Sequence, residues 1–223
     1  MSKLVLVDGH SILNRAFYGV PLFTNSEGLH TNAVFGFLNI LFKLIDDEKP
    51  DYLAIAFDVH QLTFRHEMFK DYKGTRKPML PELREQVPVI KELLHKMNIT
   101  TIELPGFEAD DVIGTMSKIG EDAGMDVCVF SGDRDLLQLA SDKVMICIPK
   151  TKKGQTTVEK YKTEEVKELY KVTPVEFIDV KALMGDSSDN IPGVPGIGEK
   201  GATTIIEQFG SVSYTHLTLP TTS

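Results

Sequence analysis

The sequence predicts an α/β fold with a mostly parallel, doubly wound sheet flanked by helices, followed by a small all-α unit. Five short runs rich in Val, Ile and Leu are spread over the first two-thirds of the chain, and segments of helical periodicity separate them. After Pro149 the strand-like runs cease while helical spacing continues. Strand alternating with helix is the signature of a parallel sheet covered on both faces.

The five runs are Leu4–Val7, Tyr52–Phe57, Thr100–Leu104, Asp126–Phe130 and Val144–Ile148. Between them, Asn32–Glu48 carries Phe35, Leu38, Phe42 and Ile45 at three- to four-residue intervals, and Pro81–Met97 and Glu108–Ala123 also have helical spacing. A Lys-rich connection, Lys150 to Lys162, leads to helical segments at Thr163–Tyr170 and Pro174–Met184. The expected division is therefore a sheet domain over residues 1–162 and a helical unit over 163–211. Residues 212–223 hold four threonines and no Lys, Arg, Asp or Glu, and are expected to lie outside the fold.

With 223 residues, 42% hydrophobic and 25% charged, the chain can bury a substantial core. No apolar stretch reaches the ~18–20 residues needed to span a bilayer, and the N-terminus lacks a signal-peptide profile, so a cytoplasmic protein without membrane association is expected. The two cysteines, Cys128 and Cys147, lie in apolar runs without zinc-ligand sequence spacing and are expected to be reduced core residues. A net charge of −8 argues on average against a nucleic-acid partner, but the charges are unevenly distributed.

Ligands of an open parallel sheet collect beyond the carboxyl ends of its strands, and three runs here lead into aspartate: Asp8, Asp58 and, through Ser-Gly, Asp133. Glu108, Asp110 and Asp111 open a helix; Asp133 and Asp135 flank Arg134; Asp186 and Asp189 share a loop. Each group alone is accounted for as a turn or a helix cap. Nine carboxylates on one rim would repel one another unless cations lie among them. An all-oxygen set without His or Cys selects a hard ion, Mg²⁺ or Mn²⁺, and a pair of ions ~4 Å apart suits phosphodiester hydrolysis. A phosphatase with an aspartyl nucleophile fits poorly, because Asp8 is followed by Gly9 and His10 with no second Asp two residues on.

The segment Phe64 to Pro78 mixes Arg65, Lys70, Lys73, Arg76 and Lys77 with aromatic rings, a composition suited to a phosphate track with stacking platforms; Tyr72 is expected to stack on a base, and Lys73 and Arg76 to face one phosphate. Ile191 to Lys200 reads as a helix–hairpin–helix, in which Gly193, Gly196 and Gly198 free a turn whose N–H groups, with Val194 and Lys200, would meet phosphate without reading sequence.

Taken in this order, the motifs resemble the 5′-nuclease (flap endonuclease) domain at the N-terminus of bacterial DNA polymerase I, over roughly Lys3 to Ser211. The resemblance implies a PIN-like sheet domain with a helical arch at about residues 64–80 and a helix–hairpin–helix (H3TH, SAM-like) unit that is truncated here. It implies that Asp8, Asp58, Glu108, Asp110 and Asp111 serve one metal position and that Asp133, Asp135, Asp186 and Asp189 serve the other. Arg15, Tyr72, Lys73 and Arg76 would orient the scissile phosphate and the unpaired nucleotide. It further implies removal of 5′ flaps and RNA primers from branched or nicked duplex DNA by a monomer, in replication and repair, with a K⁺ ion at the hairpin. The alternative is a catalytically inactive module that binds branched nucleic acid, although an acidic pit facing phosphates contributes nothing to binding alone. Gly201 stands where this family usually has Thr, at a helix-propensity cost of up to ~1 kcal/mol.

Overall fold

The computed structural model describes residues 2–59, 61–152 and 155–211. The expected tail over residues 212–223 lies outside the described residues. Six strands, β1 (Lys3–Asp8), β2 (Tyr52–Ala56), β3 (Thr100–Ile102), β4 (Asp126–Phe130), β5 (Val144–Lys152) and β6 (Gln155–Tyr161), form one sheet in the order β3-β2-β1-β4-β5-β6. All neighbours are parallel except β5 and β6. The chain winds outward from β1 to β2 and β3 on one side and to β4 and β5 on the other, so the winding reverses beside β1, where such folds gather ligands.

Because side chains alternate across a strand, each strand contributes to two cores. Val5, Val7, Ile55, Phe57, Cys128 and Phe130 face a layer made by α1 (Gly9–Gly19), α2 (Asn32–Glu48), α4 (Pro81–Arg84) and α5 (Gln86–Lys96). Leu4, Leu6, Val127, Val129 and Ile146 face α6 (Ala109–Asp122) and a 3₁₀ turn at Asp135–Leu139. This second core continues without interruption into α7 (Thr163–Tyr170), α8 (Pro174–Met184) and α9 (Glu199–Phe209), through Val166, Tyr170, Phe177, Val180, Ala202 and Ile206. The helical unit is thus seated directly on the sheet domain. Gly9 permits α1 to leave β1 closely under Phe57: a β-carbon there would lie 2.4 Å from that ring.

Four expectations need correction. The Lys-rich connection after Pro149 is a strand pair, β5 extending to Lys152 and β6 returning antiparallel, because Thr156, Thr157 and Val158 favour extended backbone and Lys150 pairs with Glu159 at 2.6 Å across it. The segment Pro81–Met97 is not one helix but two, broken at Glu85. Pro88 lacks the N–H that would bond the carbonyl of Arg84, and its ring crowds that carbonyl. The arch contains a single five-residue helix, α3 (Phe64–Met68), followed by turns through Thr75. Finally, α1 was not foreseen. Ile12, Leu13, Ala16 and Phe17 form its buried stripe, and Asp8 caps it. Among the described residues, no helix is long and apolar enough to cross a membrane.

Candidate active site

The carboxyl edge of the sheet collects the acidic residues through a chain of short bonds. Asp8 ends β1; its Oδ1 accepts from the Ser11 N–H at 3.0 Å, and its Oδ2 accepts from the Ser131 hydroxyl at 2.7 Å. The same hydroxyl accepts from the Asp133 N–H at 3.0 Å, and Asp133 Oδ1 accepts from the Asp135 N–H at 2.8 Å. The ends of β1 and β4 are thereby latched. Asp58, just beyond β2, accepts from the Ala109 N–H at 2.8 Å and donates its own N–H to His10 Nδ1 at 3.1 Å. Asp8, Asp58, Asp110 and Asp133 together wall a cavity of about 390 Å³, whose other lining residues include His10, Asn14, Lys73 and Arg76.

The remaining acids carry cations. Arg65 grips Asp111 with both terminal nitrogens, at 2.7 and 2.8 Å, and Lys73 Nζ reaches Glu108 at 2.7 Å. Tyr72 donates its hydroxyl to Glu108 and Asp189, each at 3.0 Å, while Arg76 bonds Asp189 and, at 3.2 Å, the Ser188 carbonyl. Lys181 of α8 bridges Asp135 and Asp186, at 2.9 Å to each. The segment after α3 is also stapled to the helical unit, with the Lys73 N–H donating to the Asp189 carbonyl at 2.8 Å and the Asn190 amide to the Asp71 carbonyl at 2.8 Å.

Two electrostatic environments result. Burial, reinforced by Asp8, Asp133 and Asp58, pushes Asp110 up to about 8, and burial likewise raises Asp8. Asp58 is held at about 2 because bonds from His10 and Ala109 outweigh its burial. Burial of Asp186 is outweighed by Ser188 and Lys181, which hold it far below the carboxylate range. Among the described residues, no three of the pit's carboxylates bring ligand oxygens within 4.8 Å of one another. A cation there would be held largely through water, which is how Mg²⁺ binds most readily.

The structure thus brings together all nine carboxylates, Lys73 and Arg76 along one rim, and sets other expected residues elsewhere. Arg15 on α1 does not join them: its guanidinium bonds Thr151 Oγ1 of β5 at 2.6 Å. Tyr72 is only 5% exposed and packs edge-on to His66, so the stacking platform expected of it is not presented here; its hydroxyl finds better partners among the acids. In the hairpin, Gly193 approaches α8 so closely that a β-carbon would lie 2.3 Å from the Met184 carbonyl carbon. The Val194 N–H donates to the Leu183 carbonyl at 2.8 Å, and Gly196 has a left-handed φ of +82°. Gly198 precedes α9, on whose exposed first turn Lys200 lies. Gly201 does not prevent that helix.

Sequence reasoning missed His10, Arg65 as the clamp on Asp111, and Lys181. Lys181 lies only five residues before Asp186, near the end of an apolar helix, and its pairing with Asp135 is set by tertiary packing. Both the acid pairs and their capping roles are real: at the start of α6 Asp111 Oδ2 accepts from the Glu108 N–H at 2.9 Å, and Asp186 Oδ1 accepts from the Ser188 N–H at 2.8 Å.

The family description "5'-3' exonuclease, N-terminal resolvase-like domain" matches residues 3–171, and "5'-3' exonuclease, C-terminal SAM fold" matches residues 172–219. The chain belongs to the 5′-3′ exonuclease family. Its relatives include DNA polymerase I of Bacillus subtilis, 56% identical over 210 residues, and of Geobacillus stearothermophilus, 53% identical over 211 residues. These alignments cover 94% and 95% of this exonuclease chain but 24% of each relative, so the chain spans about a quarter of the length of the curated relatives it matches. Among solved structures, bacteriophage T5 5′-exonuclease bound to zinc ions has a TM-score of 0.75 at 28% identity, covering 99% of this exonuclease and 81% of that chain. The T5 flap endonuclease in a pseudo-enzyme-product complex with DNA and metal ions matches equally well, with a TM-score of 0.75, 28% identity and the same coverage, 99% and 81%. The flap endonuclease of Methanococcus jannaschii shares the fold at a TM-score of 0.61 and 21% identity, covering 98% of this exonuclease and 75% of that chain.

Proposed function

We propose that this chain is a divalent-metal-dependent, structure-specific 5′-nuclease that hydrolyses phosphodiesters at 5′ ends and 5′ flaps of DNA. The observation that carries the reading is the juxtaposition of an under-neutralised acidic cavity, walled by Asp8, Asp58, Asp110 and Asp133, with Lys73, Arg76 and a glycine hairpin. The donor set fits hard cations: every proposed pit ligand is an oxygen, and burial with Asp8, Asp133 and Asp58 pushes Asp110 up to about 8 against the opposing charge of Lys73. Two Mg²⁺ or Mn²⁺ ions would supply an activated water and stabilise the leaving oxygen. Asp8, Asp58, Glu108, Asp110 and Asp111 are assigned to one, and Asp133, Asp135, Asp186 and Asp189 to the other.

The protein's own groups do the rest. Were cations to neutralise Glu108 and Asp189, Lys73 and Arg76 would be free to take up the scissile phosphodiester, a monoanion for which both side chains are already placed on the cavity wall. Tyr72 must leave its two carboxylates before its ring can meet a base. The hairpin carrying Gly193, Val194, Gly196 and Gly198, with Lys200, holds downstream duplex phosphates, the Val194 N–H bracing the turn on the Leu183 carbonyl and a K⁺ ion assisting. The resemblance to DNA polymerase I extends the substrate to RNA primer–DNA hybrids and the role to replication and repair by a monomeric domain in the cytoplasm.

A labelled 5′-flap duplex with Mg²⁺ tests the reading. Cleavage near the junction, abolished by EDTA and reduced by at least ~100-fold in Asp133→Asn with binding retained, is expected. An intact flap bound with unchanged affinity would instead identify an inactive branched-DNA binding module.

A further inference from the structure

A second group of metal-binding side chains lies at the opposite end of β1 from the acidic pit. Glu48, the last residue of α2, bonds Lys3 at the start of β1, whereas the pit opens beyond Asp8 at its end, about 16 Å away at strand rise. Cys128 of β4 and Cys147 of β5 are both fully buried, with sulfurs 3.2 Å apart. These two sulfurs and a Glu48 carboxylate oxygen lie within 4.8 Å of one another. We propose that Cys128, Cys147 and Glu48 form a buried site for one soft divalent cation of the zinc class, separate from the pit.

Two thiolates with a carboxylate are a zinc-type donor set, and a cavity of about 330 Å³ that Glu48, Leu44, Val158 and Lys160 help to line brings water to the carboxylate side, from which a fourth ligand would come. Around a tetrahedral ion with Zn–S bonds of about 2.3 Å the sulfurs would stand about 3.8 Å apart, a small opening from their present separation. A disulfide suits the pair less. Cys128 aligns with Met145 and Cys147 with Phe130, so the cysteines are diagonal neighbours in the sheet. Their Cα atoms are then about 7–8 Å apart, against the ~4.4–6.8 Å that a disulfide spans.

Charge also balances. One divalent ion enters as two thiol protons leave to solvent, and Glu48 is already ionised between Lys3 and Lys160, so the buried net charge does not change on loading. Lys160 is half exposed and can swing aside to admit the ion while Lys3 continues to orient the carboxylate.

Cd²⁺ is the spectroscopic probe, added to reduced, metal-free protein. A thiolate-to-cadmium ultraviolet charge-transfer band that saturates at one ion per chain is expected, Cd²⁺ bound by the pit's carboxylates giving no such band. The band should be lost in Cys147→Ser and retained in Asp133→Asn, and Glu48→Gln should weaken Cd²⁺ binding by about 10–100-fold. Zn²⁺ should raise the melting temperature of the Asp133→Asn protein by more than that of the Cys147→Ser, Asp133→Asn double variant. If Cys147→Ser fails to fold, Glu48→Gln alone decides, since it keeps both sulfurs. Absence of the band in folded wild type, an unchanged affinity in Glu48→Gln, or recovery of the two thiols as a disulfide after reductive purification would overturn the site.

Discussion

Asp110→Asn should stabilise the metal-free protein at alkaline pH and leave it nearly unchanged in acid. The folded state raises Asp110 from 3.8 to about 8, chiefly by burial and then by Asp8, Asp133 and Asp58. Below pH ~4 the carboxyl is protonated in both folded and unfolded chains and carries no penalty. As pH rises from about 4 toward 8, the unfolded chain ionises the group while the folded chain holds it protonated, so the stability present in acid is lost progressively and the loss is complete above about 8. At about 1.4 kcal/mol per pKa unit, the interval from 3.8 to about 8 sets a ceiling near ~6 kcal/mol. The side chain is only partly covered and the cavity is open to water, so about 2 kcal/mol is expected. For a chain of this size that is a gain of about 4–8 °C in melting temperature. The assay is thermal unfolding by circular dichroism in EDTA, wild type against variant, at about pH 3.5 and about pH 8.5. The variant should gain little at the lower pH and the full amount at the higher. With millimolar Mg²⁺ the order should reverse, because the wild type gains binding free energy that the variant has partly lost. An equal effect at both pH values, or an undiminished Mg²⁺ response in the variant, would refute the like-charge reasoning.

Other substitutions probe separate parts of the site. Lys181→Met removes the cation between Asp135 and Asp186 and should lower the melting temperature in EDTA by about 2–6 °C, with Mg²⁺ restoring most of it; melts with and without metal check this. Gly193→Ala places a β-carbon 2.3 Å from the Met184 carbonyl carbon and should both destabilise the fold by ~2 kcal/mol or more and weaken duplex binding, read by urea denaturation and fluorescence anisotropy. Gly9→Ala meets the Phe57 ring at 2.4 Å and should cost about 1–3 kcal/mol in urea denaturation.

The architecture was legible because buried parallel strands announce themselves as short β-branched runs, and α2, α7 and α8 were bounded as the sequence suggested. β6 was hidden by lysines, whose charge suggests a loop although Thr156 to Val158 permit a strand. The acids were legible as a set from the strand ends, each with a local capping role as well. Which cation each would meet was not, since Lys181 and Arg65 reach their partners only through tertiary packing. Arg15 shows the converse: the family resemblance implied a role at the scissile phosphate, and the fold turns that guanidinium toward β5.

The antiparallel return of β6 has a consequence for handling the protein. An open sheet is vulnerable at its two rims, where unpaired backbone groups invite another chain to add on. Here one rim is β3, three residues long, and the other is β6, whose Glu159 and Lys160 put a charged side chain on each face of the rim, paired with Lys150 and Glu48. Neither rim is a long apolar template for aggregation. Concentrated, metal-free solutions should therefore lose protein through unfolding of the repelling acids before they lose it through strand-to-strand association.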